Sequence, residues 1–313
     1  MLLIIFYIFH SIIVPSMQVK LVRKQIIEHI PSASGIEVAD GKIYIIGDDS
    51  AVLYILDQNW KPAGQIPLFD TDQTGRIPKK LKPDLESMTL VNNRGKRQLL
   101  ILGSGSSEVR ETGYLVDIDA PHTVRKLSLS AWYEQIRTLS DVRGDKHKLN
   151  LEGAAMAGDT LYFLQRGNIS GRNAVISYPM QHFLNYLLGE SDVLPVPQVR
   201  VYELPRIRDT AAGFSGAAGI EGTEKLIFTA SVEDTADEIN DGETLGSFVG
   251  MIEPGKAQDN AVCVLLYDGD TPYRGKVESV TLLSFDGKSH FTALAVTDND
   301  GGASELLLIE GEL

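Results

Sequence analysis

A short motif, one apolar residue followed by Glu or Ser and then Gly or Ser, recurs five times along the chain. It reads Ala33-Ser34-Gly35, Leu85-Glu86-Ser87, Leu151-Glu152-Gly153, Phe214-Ser215-Gly216 and Val277-Glu278-Ser279. Successive copies are spaced by 52, 66, 63 and 63 residues. Each copy opens an apolar run, and a turn and a second apolar run follow, such as Ile43-Tyr44-Ile45-Ile46 and Leu161-Tyr162-Phe163-Leu164. Short apolar runs bounded by Gly, Asp and Asn read as strands rather than helices. Third and fourth strands follow in most copies, for example at 51–56 and 64–68. Four strands per repeat of this length is the pattern of a β-propeller.

The expected fold is therefore all-β: a propeller of five four-stranded blades, with six blades or a sandwich as the alternatives. The last copy is one strand short, while 19–30 is one strand in excess. Placing that N-terminal strand on the outside of the fifth blade closes the ring and removes an open edge. Two insertions read as helices, one over 131–139 capped by Ser130 and one over 180–188 ended by Gly189.

The chain has 313 residues, within the span of a single propeller, and a net charge of −13. So acidic a protein is a poor partner for phosphate backbones, which argues against nucleic acid. The one cysteine, Cys263, cannot form an intrachain disulfide and sits in an apolar run as a small buried hydrophobe. Residues 1–16 form an apolar leader, too short for a stable membrane span and without a basic residue before its apolar run. Two readings stand: a signal peptide of an exported protein, or a start at Met17 and a cytoplasmic one. Either leaves one domain at 17–313, expected to be a monomer.

The first strand of a propeller blade lines the central channel, and the second strand returns to the face where the first began. That geometry brings Glu86, Glu152 and Glu278 to one mouth of the channel, with Asp48 and Asp298 from the ends of second strands. Carboxylates converging on an axis repel one another unless a cation joins them, and an all-oxygen set suits Ca²⁺. Arg166 ends another second strand. Lys82, Lys148, Arg208 and Lys276 precede first strands and would form a basic rim for a small anionic molecule. The alternative is a structural channel whose carboxylates bond only to water and neighbouring blades.

The segments Asp84-Leu85-Glu86-Ser87, Asn150-Leu151-Glu152-Gly153, the stretch 229–233 with its acidic loop, and Val296-Thr297-Asp298 resemble the openings of phytase-like and strictosidine-synthase-like β-propellers. The overall pattern is similar to an uncharacterised bacterial branch of that superfamily. The resemblance implies channel-facing Glu86, Glu152, Glu278 and Asp298, Ca²⁺ binding, and hydrolysis of an ester or phosphoester. Ser34 and Ser215 depart from the acidic pattern at two of the five positions.

Overall fold

The computed structural model describes residues 17–73, 75–143, 149–234, 242–256, 261–298 and 303–313. They form five four-stranded antiparallel blades around one axis. Blade 1 comprises Ala33–Ala39, Lys42–Gly47, Val52–Leu56 and Pro62–Pro67. Blade 2 comprises Leu85–Asn93, Lys96–Gly103, Thr112–Asp117 and Val124–Ser128. Blade 3 runs through Leu151–Ala157, Thr160–Gln165, Asn173–Pro179 and Gln198–Tyr202, and blade 4 through Gly213–Gly219, Leu226–Asp234, Glu243–Ile252 and Val262–Leu265. Blade 5 is Lys276–Phe285, His290–Asp298, Ala303–Glu312 and, outermost, the N-terminal strand Gln18–Pro31. That strand pairs antiparallel with Ala303–Glu312, from Gln18 against Glu312 to Pro31 against Ala303. The ring is closed as the sequence predicts. The leader at 1–16 lies outside the described residues.

The first strand of every blade is innermost, and consecutive innermost strands pack against one another around the ring. Alternation along these strands sends Ile36, Met88, Ala154, Ala217 and Val280 into the buried cores between blades. The small residue that follows each Glu or Ser has a separate cause. A Cβ on Gly216 would stand 2.6 Å from Ser279 Cα, and one on Gly153 would stand 3.2 Å from Gly216 Cα. The innermost strands of blades 3, 4 and 5 approach so closely here that a side chain on Gly216 would overlap its neighbour's backbone.

The insertions fold as helices Ser130–Thr138 and Met180–Leu187. Ser130 is the first helical residue rather than the cap, a position that Leu129 takes without a side-chain capping bond. The helices seal the flank of blade 3, where Trp132 packs edge-on to Phe163 at 4.9 Å and to Phe183 at 5.1 Å. Cys263 lies in the outer strand of blade 4, partly buried against that blade's core, and burial pushes its thiol up to about 11. No helix among the described residues is long and apolar enough to cross a membrane.

Candidate functional site

Each innermost strand carries a bulge at the same place. The ladder to the second strand shifts register between Ala33 and Gly35, Leu85 and Ser87, Leu151 and Gly153, Phe214 and Gly216, and Val277 and Ser279. The residue left out of pairing is therefore Ser34, Glu86, Glu152, Ser215 or Glu278, the variable position of the repeated motif. A bulge re-aims the side chain it frees. Here it directs three carboxylates and two hydroxyls toward one mouth of the channel.

The two serines bond to the neighbouring blade. Ser34 Oγ donates to the carbonyl of Leu85 at 2.5 Å, and Ser215 Oγ donates to that of Val277 at 2.6 Å. Each accepting residue immediately precedes a glutamate, so the serine blades fix the backbone from which Glu86 and Glu278 project.

A second column lies two residues upstream of each bulge, at or just before the start of the innermost strand. Its members are Ser32, Asp84, Asn150, Gly213 and Lys276. Asn150 Nδ2 donates to Glu152 Oε1. Lys276 Nζ lies 2.8 Å from Glu278 Oε1. Gly213 makes room, because a Cβ there would stand 2.7 Å from Arg166 Cγ.

The ends of the second strands complete the mouth. From blade 3, Arg166 crosses to its neighbours. Its Nη2 donates to Glu233 Oε2 of blade 4 at 2.6 Å, and its Nη1 lies 3.4 Å from Glu152 Oε1 and 4.0 Å from Glu278 Oε2 of blade 5. Lys276 also approaches Glu233 Oε1, at 3.0 Å. Arg166 is 2% exposed, and Glu152, Glu233 and Glu278 are buried with it. Burial works against the charge of Glu233, yet Arg166 and Lys276 outweigh it and hold that carboxyl below its ordinary value. Glu152 goes the other way: burial, opposed by Arg166 and reinforced by Glu278, pushes it up to about 7.

On the side of blades 1 and 2, Lys82 enters from the connection between the blades. Its ammonium bonds to Asp48 Oδ2 and lies 2.8 Å from Asp84 Oδ1. Asp84 Oδ2 also receives Ser104 Oγ at 2.6 Å and lies 2.8 Å from Arg110 Nη1. Arg76 holds Asp49 and the Ser32 hydroxyl, at 2.5 and 2.6 Å. Asp48, Asp84 and Glu86 each bring a carboxylate oxygen within 4.8 Å of the others. Glu86 is partly exposed and makes no hydrogen bond among the described residues. Asp48 Oδ1 is buried without a hydrogen-bond partner among the described residues. Burial, with the charges of Asp84, Glu152 and Asp48, raises Glu86 well above the usual carboxylate range. Burial likewise lifts Asp48 to about 6, against the pull of Lys82.

The structure thus brings Glu86, Glu152, Glu278, Asp48, Arg166, Lys82 and Lys276 into one cluster. Arg166, Lys82 and Lys276 lie within it, between the carboxylates, rather than on a rim around it. Asp298 faces Lys276 in the blade 5 ladder, and its charge acts on Arg76. Arg208 is exposed at the tip of the hairpin formed by Arg206–Ile207 and Thr210–Ala211, and among the described residues no ion pair joins it to the cluster. Lys148 lies outside the described residues. Sequence reasoning passed over Asp84, Arg76 and Arg110 as site members. The first had a readable signal, its place two residues ahead of Glu86 in the repeated motif.

A closed five-bladed propeller with a polyionic cluster at one channel mouth is the class that fold and site define. The chain belongs to a family described as "Family of unknown function (DUF6929)", whose profile matches residues 29–310. Comparison with the curated proteins finds no match. Among solved structures, the glutaminyl cyclase of Myxococcus xanthus is similar at 10% identity and a TM-score of 0.50, over 94% of this chain and 96% of that one. A luciferin-regenerating enzyme is similar at 10% identity and a TM-score of 0.41, over 95% and 96% of the two chains. The tail fibre of a Staphylococcus aureus phage is similar at 10% identity and a TM-score of 0.47, over 95% of this chain and 53% of that one. Similarity at this identity speaks to the fold alone. It places the chain more coarsely than the phytase-like resemblance does.

Proposed function

We propose that the channel mouth binds a divalent cation, Ca²⁺ by its all-oxygen donor set, through Asp48, Asp84 and Glu86, and that the bound cation serves hydrolysis of a small anionic ester. The observation that carries this reading is the approach of three carboxylate oxygens to within 4.8 Å of one another. Two oxygens on one calcium ion, each at roughly 2.4 Å from it, stand at most about 4.8 Å apart. The unbonded Asp48 Oδ1 and the unbonded Glu86 supply free lone pairs. Lys82 already neutralises part of this charge, so a doubly charged ion would compete with its ammonium for Asp48 and Asp84. A displaced Lys82 would then stand beside the ion, suited to an anionic ligand. The chemistry such an ion supplies is activation of water.

The network around Arg166 favours a second reading, a binding propeller whose channel charges only join blades. Calorimetric titration of chelator-treated protein with CaCl₂ tests the first reading, followed by turnover of p-nitrophenyl phosphate and p-nitrophenyl acetate. Calcium binding that Glu86→Gln abolishes is expected. Absence of binding at millimolar Ca²⁺ leaves the second reading in place, and binding without turnover removes the hydrolase.

A further inference from the structure

The channel has a second mouth at the far ends of the innermost strands. Three residues past the bulge, blades 1, 2 and 5 present Glu37, Thr89 and Thr281; one residue further, blades 2, 3 and 5 present Leu90, Met156 and Leu282. All six line a funnel of about 640 Å³. That volume falls in the range of small-molecule sites, which combine apolar walls with a few placed polar groups.

Glu37 is the distinctive group. Its Oε1 accepts the Leu90 N–H at 3.0 Å and its Oε2 accepts the Thr281 hydroxyl at 2.9 Å. Burial raises its pKa, and the largest opposing influences are hydrogen bonds; among the described residues it forms no ion pair. The cluster at the first mouth is different, since each ion pair there includes a Lys or Arg. Among the described residues the funnel lining contains no Lys, Arg or His, and its other ionisable member is a second acid, Glu221. A desolvated carboxylate without a counter-ion is costly, and a cation brought by a ligand relieves that cost. Leu90, Met156 and Leu282 are partly exposed around it, so they offer apolar surface to the rest of such a ligand.

We propose that this funnel binds a small organic cation, an ammonium or guanidinium group carried on an apolar chain, with Glu37 as its counter-ion. The site is separate from the acidic cluster and needs no metal.

The test is calorimetric titration of the full chain with hexylamine and, as its neutral match, hexanol. Hexylamine is expected to bind at least tenfold more tightly, and Glu37→Gln to remove that preference. Glu37 also joins blades 1, 2 and 5, so this variant could unfold. Met156→Trp therefore serves as a second variant, filling the funnel from its wall without touching Glu37. It is expected to weaken hexylamine at least tenfold with the circular dichroism spectrum unchanged. Equal affinities for amine and alcohol overturn the proposal. So does hexylamine binding that Met156→Trp leaves intact, since that amine would be held elsewhere, as at the acidic cluster.

Discussion

The channel mouth has two sides built on one plan and finished differently. On blades 3 to 5, Arg166 and Lys276 are threaded among Glu152, Glu233 and Glu278, and the side chains of all five are between 3% and 12% exposed. On blades 1 and 2, Asp48, Asp84 and Glu86 share Lys82, yet Glu86 keeps no hydrogen bond and stays partly exposed. The bulged strands are equivalent, so the difference arises in what the second strands add. Arg166 ends the second strand of blade 3 and spans to two further blades, with Gly213 clearing its path. Its counterpart in blade 2 is Ser104, whose short side chain reaches Asp84 and goes no further. One long cation spans the blades on one side; on the other the cations end at Asp48, Asp49 and Asp84, and Glu86 forms no ion pair among the described residues.

Removing that cation is the largest perturbation the comparison predicts. Arg166→Met leaves Glu152, Glu233 and Glu278 buried around an apolar side chain. Breaking a buried pair from one partner typically costs about 3–5 kcal/mol, and a loss of that size is expected in urea unfolding at pH 7. Lys82→Met should cost less, because Asp84 retains Arg110 and Ser104. Equal losses from the two variants would show that the two sides do the same work.

A smaller effect follows from proton binding. The raised pKa values of Glu152, to about 7, and Asp48, to about 6, mean that the folded state holds protons which the unfolded chain releases near pH 4. Native-state proton excess makes stability fall as pH rises. The contribution is fully present below the unfolded pKa and lost by the time pH passes the folded one. Stability should therefore decline between about pH 4 and pH 7, and Glu152→Gln should flatten that decline by on the order of 3 kcal/mol. Glu233 acts in the opposite sense, its lowered pKa favouring the fold above the unfolded value. A melting temperature independent of pH across this window in the unmodified protein contradicts the assignment of buried protonated carboxylates.

Much of this was legible in the chain. The repeated motif defines the blades, and its variable residue marks the bulge column, because one strand geometry is reused five times. The closing strand was readable from the count of strands at the two ends. The partners of the carboxylates were less accessible. Glu233 pairs with Arg166 across 67 positions, a distance that spacing within one repeat does not reveal. Lys82 and Lys276 were visible as bases ahead of strands, but whether a lysine faces solvent or folds back between carboxylates depends on side-chain direction. Glu37 was hidden differently: it stands one blade away from Thr89 and Thr281 in the same column, where four other residues carry no charge.

The finest distinction concerns the glutamates themselves, since Glu86 and Glu278 occupy equivalent bulges. Glu278 holds Lys276 at 2.8 Å, so Glu278→Gln removes a charge-assisted contact and should cost about 1.5–3 kcal/mol. That cost should be the same in CaCl₂ and in chelator, because a protein cation already serves this side. Glu86 makes no such bond, and the nearest influences on it are burial and the charges of Asp84, Glu152 and Asp48. Glu86→Gln keeps the volume and replaces a carboxyl whose ionisation burial and its acidic neighbours already oppose, so in chelator stability should change by less than about 1 kcal/mol or rise slightly. If Glu86 is a calcium ligand, the same variant should lose the increase in melting temperature that millimolar Ca²⁺ gives the unmodified protein, since a ligand selective for the folded state stabilises in proportion to its binding. The measurement is a melting series of both variants and the unmodified chain in each condition. A Glu86→Gln loss equal to that of Glu278→Gln in both buffers would erase the difference between the two sides, and with it the case for a cation at Asp48, Asp84 and Glu86.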